Sequence, residues 1–141
     1  MTRLSAIADA VTIELPSYAR DDGVVVVAQA SEHVPFAVAR MFTVEGAPGA
    51  VRGQHAHKRS SQFMLCVSGV VEFLLDDGGA RKVVTLDRGD KALLMPPMLW
   101  QSVTFRAPQS ILVVLCDRPY EEDDYIRDYA AFLDARGGEP S

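Results

Sequence analysis

Two of the chain's three histidines stand two residues apart in the run Arg52-Gly53-Gln54-His55-Ala56-His57-Lys58. On a β-strand, residues i and i+2 share a face, so both imidazoles point to one side. An imidazole whose pKa lies near neutrality takes up and returns protons under physiological conditions, which suits it to general base or proton-shuttle work. Neutral imidazoles are also the commonest side-chain ligands of transition metals, so the metal reading has to be weighed against the proton-transfer one. The flanking Arg52, Lys58 and Arg59 add local positive charge, and the pattern continues through Gln62 to Gly69. The third histidine, His33, falls in a loop-like stretch and receives no role.

Positioning such a pair requires a rigid strand framework, and the rest of the chain supplies one. Runs rich in Val, Ile, Leu and Phe, punctuated by Gly, Pro or Asp, recur at 11–15, 24–29, 37–44, 54–58, 61–67, 70–75, 82–86, 92–95, 101–105 and 111–117. Short strands at that spacing predict an all-β sandwich or barrel. The clearest hairpin turns through Asp76-Asp77-Gly78-Gly79, where Asp-Gly provides the positive φ a tight turn demands. Only 120–136 has helical spacing, with Tyr125, Tyr129, Phe132 and Leu133 on one stripe behind the acidic run 121–124. About ten strands and one terminal helix predict a jelly-roll barrel with its site at the barrel mouth. Residues 1–136 are expected to form one domain, and 137–141 a flexible tail.

Composition narrows the partners. With 14 Lys and Arg against 19 Asp and Glu, the formal net charge is −5, which provides no general field for nucleic acid. No apolar run approaches the roughly 20 residues of a bilayer span, and the N-terminus lacks a signal-peptide pattern, so a cytoplasmic protein is expected. Cys66 and Cys116 sit inside apolar runs and are expected to be small core residues. Strand edges need covering, which predicts a homodimer, with the segment 11–29 as the strand exchanged between subunits.

The pattern G-x-H-x-H-x4-Q-x6-G from Gly53 to Gly69 resembles the first motif of the cupin superfamily, and Gly89-Asp90, Pro96 and Gln101 echo the second. In metal-binding cupins the positions of Gln62 and Gln101 are ligands, Glu and His respectively. Amide oxygens are weak ligands for transition metals, so two histidines alone fall short of a closed or catalytic site, and no metal or other cofactor is expected. Over about 20–133 the chain resembles, more closely, the WxcM-like cupin-fold sugar nucleotide 3,4-ketoisomerases. That resemblance rests on Arg52 to Lys58, Gln62, the Asp76-Asp77-Gly78 hairpin, Leu86-Asp87, Pro96 to Trp100, and Tyr120-Glu121-Glu122-Asp123-Asp124-Tyr125-Ile126-Arg127-Asp128-Tyr129.

The resemblance implies an isomerase acting on a dTDP-4-keto-6-deoxyhexose. A base takes the proton from C3, an enediol forms, and a proton returns at C4. His55 is the candidate base and His57 the second carrier or the group that orients the first, an assignment that is reversible. Arg52 is the candidate for the diphosphate, with Arg40, Gln62, Trp100, Gln101 and Arg127 as further substrate contacts; Tyr120, Tyr125 and Tyr129 are expected to anchor the helix. The chain departs from the family at Asp22, where an arginine is usual, at Val24, where some members have tyrosine, and at Gln101-Ser102 in place of His-Glu. A metal-dependent cupin enzyme and a non-catalytic sugar-nucleotide binding module are the competing readings.

Overall fold

The strand from Ser110 to Cys116 shows how the sequence builds this fold. Ser110, Leu112, Val114 and Cys116 are buried in the interior, and the intervening Ile111, Val113 and Leu115 face the other way. Apolar residues occupy both faces because both are covered: Leu112 and Val114 join the main core, while Leu115 packs on a second cluster of Leu15, Val34, Phe63 and Ala92. A strand covered on both sides is a continuous hydrophobic run.

The computed structural model describes residues 4–137 of the chain. Its strands are β1 (Val11–Glu14), β2 (Ser17–Arg20), β3 (Gly23–Val26), β4 (Arg40–Gly46), β5 (Val51–His57), β6 (Gln62–Ser68), β7 (Val71–Asp76), β8 (Arg81–Leu86), β9 (Lys91–Met95), β10 (Trp100–Phe105), β11 (Ser110–Cys116) and β12 (Tyr125–Ile126), followed by one helix, α1 (Tyr129–Gly137). One sheet has the order β1-β9-β6-β11-β4 and the other β12-β5-β10-β7-β8, with antiparallel pairing throughout. The inner faces meet in a core that includes Met64, Phe73, Leu75, Leu86, Leu93, Met95 and Phe105. Each such side chain contributes about 1.5–3 kcal/mol by leaving water. The all-β jelly-roll expectation and its terminal helix are met.

Two local expectations are corrected. The run 120–136 is not one helix: Glu122–Asp124 forms a 3-10 turn, Tyr125–Ile126 pairs with β5, and α1 begins at Tyr129. Residues 17–20, unassigned by pattern, pair with β3 as a two-stranded ribbon that joins neither five-stranded sheet. Within the segment expected to exchange, β1 pairs with β9 of its own chain, Val11 opposite Leu94. The expected flexible tail, 137–141, lies outside the described residues except for Gly137, which ends α1.

Trp100 is also placed differently from expectation. Successive strand residues face opposite sides, and on β10 it is Gln101 that points inward, so Trp100 lies on the outer face. There it packs against Tyr129 and Phe132 of α1, with ring centroids 5.3 and 5.7 Å away. Phe132 is fully buried and forms a small cluster with Ala56 and Ile126, which docks the helix onto β5 and β12. Replacing Phe132 with Ala should cost about 3 kcal/mol of stability in urea unfolding and shift the emission of Trp100, the chain's single tryptophan, to the red. Unchanged emission would show that α1 does not depend on this contact.

Candidate active site

Strand β5 places the motif through an irregularity. His55 pairs with Gln101 but Arg52 pairs with Val103, so three steps on β5 match two on β10. The extra residue is a β-bulge, and Gly53 within it has φ of +63°, a conformation open to glycine at little cost. The bulge cancels the strand's alternation between positions 52 and 55. Arg52 and His55, an odd number of residues apart, therefore both line one cavity.

That cavity, about 280 Å³, lies between the sheets and is lined by three strands from each. Phe42, Val44, Met64, Val103, Leu112 and Val114 make an apolar floor and walls. The polar groups are His55, Gln62, Gln101, Arg52, Tyr125 and Arg127. Gln101 Nε2 donates to Gln62 Oε1 at 3.1 Å and lies 3.5 Å from His55 Nε2. With one hydrogen of the Gln101 amide on Gln62, the other can be donated to this ring nitrogen in the tautomer that leaves Nε2 unprotonated.

His57 stands beside His55 and is outside the set of residues that line the cavity. It is 4% exposed, and its Nδ1 is 2.8 Å from Oδ2 of Asp124, itself 3% exposed. The N–H of Arg59 donates to the other carboxylate oxygen at 2.6 Å. The Asp124 contact fixes the Nδ1–H tautomer of His57, leaving Nε2 buried with no protein partner among the described residues. The two imidazoles meet edge to face, centroids 4.9 Å apart.

The electrostatics favour neutral rings. Burial, reinforced by the neighbouring His57 and Arg127, pushes His55 from its ordinary 6.5 down to about 4. Burial also lowers His57, against the opposing pull of its Asp124 hydrogen bond. Burial alone would raise Asp124, but the His57 hydrogen bond and the Arg59 N–H outweigh it and hold the carboxyl below its usual range. At neutral pH His55 is thus an unprotonated imidazole on the polar side of the cavity.

The arginines divide into two groups. Arg127 stacks over Tyr125, its guanidinium carbon 4.3 Å from the ring centroid, and pairs with Glu122. Arg52 and Arg40 have no carboxylate partner among the described residues. Arg52 lies on the cavity wall, whereas Arg40 lies outside it, its Nη2 donating to the Tyr125 hydroxyl at 3.2 Å and approaching Cys116 Sγ at 3.6 Å. Its Nε is buried with no hydrogen-bond partner among the described residues, and its guanidinium carbon lies 5.0 and 5.4 Å from the ring centroids of Phe42 and Tyr120. The family departures at Asp22 and Val24 fall on the β2–β3 ribbon, outside the set of residues that line this cavity.

Asp124 and Tyr125 are the residues that sequence reasoning missed. Both belong to the stretch read as helix, where an acidic residue serves the helix N-terminus and a tyrosine serves packing. Their partners, His57 and Arg40, are 67 and 85 residues away. As a metal site the residues fit poorly: His57 commits Nδ1 to Asp124, and the remaining cupin positions carry amides. Among the described residues no group of three or more His, Cys, Asp and Glu side chains is placed to hold an ion.

Two antiparallel sheets closing on a cavity beside a pair of strand histidines define a cupin-type jelly roll. The model of the FdtA family, described as WxcM-like, C-terminal, matches residues 8–137, and the chain belongs to that family. It is 32% identical over 111 residues, 78% of its length and 80% of the relative's, to a TDP-4-oxo-6-deoxy-alpha-D-glucose-3,4-oxoisomerase from Aneurinibacillus thermoaerophilus. A 3,4-ketoisomerase from Helicobacter canadensis superimposes with a TM-score of 0.87 at 27% identity, covering 92% of this chain and 98% of the other. The sugar 3,4-ketoisomerase QdtA from Thermoanaerobacterium thermosaccharolyticum shares the fold, with a TM-score of 0.89, 24% identity and coverage of 94% and 98%.

The lowered His55 also ties stability to pH. The folded ring holds its proton less tightly than the unfolded one, so between pH 6.5 and about 4 the unfolded chain binds more protons at this position. Stability should therefore fall as pH drops through that window, with His57 contributing in the same direction and Asp124 only below its ordinary carboxylate range. Urea midpoints measured from pH 7 to pH 4.5 should fall less steeply in His55→Asn; equal slopes in variant and wild type would show that His55 does not titrate as described.

Proposed function

We infer that this isomerase moves the keto group of a dTDP-4-keto-6-deoxyhexose from C4 to C3. The observation that supports this most strongly is His55: an imidazole on the wall of a cavity of hexose size, held in its neutral form by burial, which outweighs the opposing pull of the Asp124 carboxylate. A base in that state removes a proton from the carbon next to a carbonyl. The relative that is 32% identical is named for this chemistry on the same sugar.

The rest of the site suits the substrate part by part. The apolar floor matches the C5–C6 edge of a 6-deoxy sugar and keeps water from the enediolate. Gln62 and Gln101 hold hydroxyls without adding charge, and Arg127 lies at the rim. Arg52, with no carboxylate partner among the described residues and a forked guanidinium, suits a diphosphate. His55 takes the C3 proton and delivers it to C4, while His57, oriented by Asp124, holds His55 in place. Of the two roles the sequence allows for His57, this geometry favours the orienting one.

We further propose that the protein is a homodimer. The β2–β3 ribbon pairs with neither main sheet and exposes Tyr18, Val24 and Val25, so it is the part of the segment 11–29 that can reach a second copy without unpairing β1. Sedimentation at micromolar concentration should give twice the chain mass; a monomer would remove this proposal.

The catalytic reading is tested with dTDP-4-keto-6-deoxyglucose in D2O. Wild-type protein should incorporate deuterium at C3 and release the 3-keto isomer. His55→Asn should lose about a hundred- to ten-thousand-fold in both while retaining dTDP within a few-fold. A variant that turns over at the wild-type rate would end the assignment of His55.

A further inference from the structure

A 1,2-keto shift involves two pairs of proton transfers, and His55 accounts for one. It takes hydrogen from C3 and returns it at C4. The other pair joins the oxygens: O3 must lose a proton and O4 must gain one. A group for that task must accept and donate from one position, because the two oxygens are neighbours on the ring.

The cavity lining limits the choice. Amides such as Gln62 and Gln101 do not give up a proton at neutral pH, and the guanidiniums of Arg52 and Arg127 stay charged. The remaining lining side chains are apolar apart from His55 and Tyr125. A phenolic hydroxyl is both donor and acceptor. The Tyr125 ring lies against both imidazoles, with centroids 5.1 Å from His55 and 4.5 Å from His57. Arg40 donates to its oxygen at 3.2 Å, and the Arg127 guanidinium stacks on its face at 4.3 Å. One guanidinium thus meets the hydroxyl and a second covers the ring.

We infer that the Tyr125 hydroxyl relays the proton from O3 to O4, with Arg40 as the residue that positions and polarises it. The inference rests on the ketoisomerase reading, and the step balances. The C3–H bond breaks, its proton going to His55 and its electron pair forming the C3–C4 double bond, while O4 takes the proton of Tyr125. The resulting phenolate takes the proton from O3 as the C3 carbonyl forms, and the double-bond pair takes the proton of His55 at C4. Both side chains end as they began, and no oxidant or reductant is involved.

The experiment follows two signals for Tyr125→Phe in D2O: deuterium at C3 of recovered dTDP-4-keto-6-deoxyglucose, and 3-keto product. Product formation should fall about a hundred- to ten-thousand-fold in kcat with KM little changed, while C3 exchange stays within about tenfold of wild type, since His55 still removes its proton. Retained isomerisation overturns the relay, and so does equal loss of both signals in a variant that still binds dTDP. Arg40→Met tests it independently of whether Tyr125→Phe folds: it should slow turnover about tenfold while sparing C3 exchange. Combined with Tyr125→Phe it should add nothing, whereas additive losses would show no coupling. A wild-type protein silent in both signals would strike the ketoisomerase reading itself, and the relay with it.

Discussion

One buried contact organises the site: the hydrogen bond between His57 Nδ1 and Asp124 Oδ2. It joins β5 to a segment 67 residues later and does so where neither partner reaches bulk water. Backbone bonds close the same joint, since Lys58 N donates to Asp124 O at 2.8 Å and Arg59 N to the Asp124 carboxylate. Breaking such a pair by removing one member leaves the other buried and uncompensated, at about 3–5 kcal/mol. The clamp brings Tyr125 opposite His57 in the β5–β12 register, which makes the tyrosine part of the cavity wall. Without it, the short β12 pairing, exposed ion pairs of Arg59 and the α1 contacts would hold the C-terminal segment.

The second organising constraint is the replacement of charge by amides. A carboxylate at 62 or a second ring at 101 would give His55 a neighbour able to hold a proton or complete a metal set. Gln62 and Gln101 instead satisfy each other across β6 and β10, and one directs its amide hydrogens toward the imidazole. Buried polar groups persist when they are paired, and this pair is neutral in both partners. The two departures from the metal-binding cupin pattern therefore act together: they remove ligands and surround His55 with neutral amides.

The reach of the sequence can be judged at particular residues. Strand alternation places His55 and His57 on one face, and the apolar runs predict the two-sheet sandwich. The same alternation, applied strictly, separates Trp100 from Gln101, because adjacent strand residues cannot share a cavity; Trp100 is accordingly found under α1. Alternation also fails for Arg52 and His55, whose shared face depends on a bulge. The glycine between them signals one, but spacing alone does not distinguish a bulge from a turn. The run 121–124 was the least legible part. Its acidic residues suit a helix start, and only the distant His57 and Arg59 reveal that Asp124 is buried, which in turn draws Tyr125 and Ile126 into a strand.

The bulge at Gly53 gives β5 a division of labour. Ahead of the glycine the strand presents the guanidinium of Arg52; beyond it, the rings of His55 and His57. Because the phase of the strand is reset between the two, the segments behave as separate modules joined by one permissive residue. A change at position 52 can then alter one end of the cavity while the ring at 55 keeps its geometry, provided position 53 stays without a side chain.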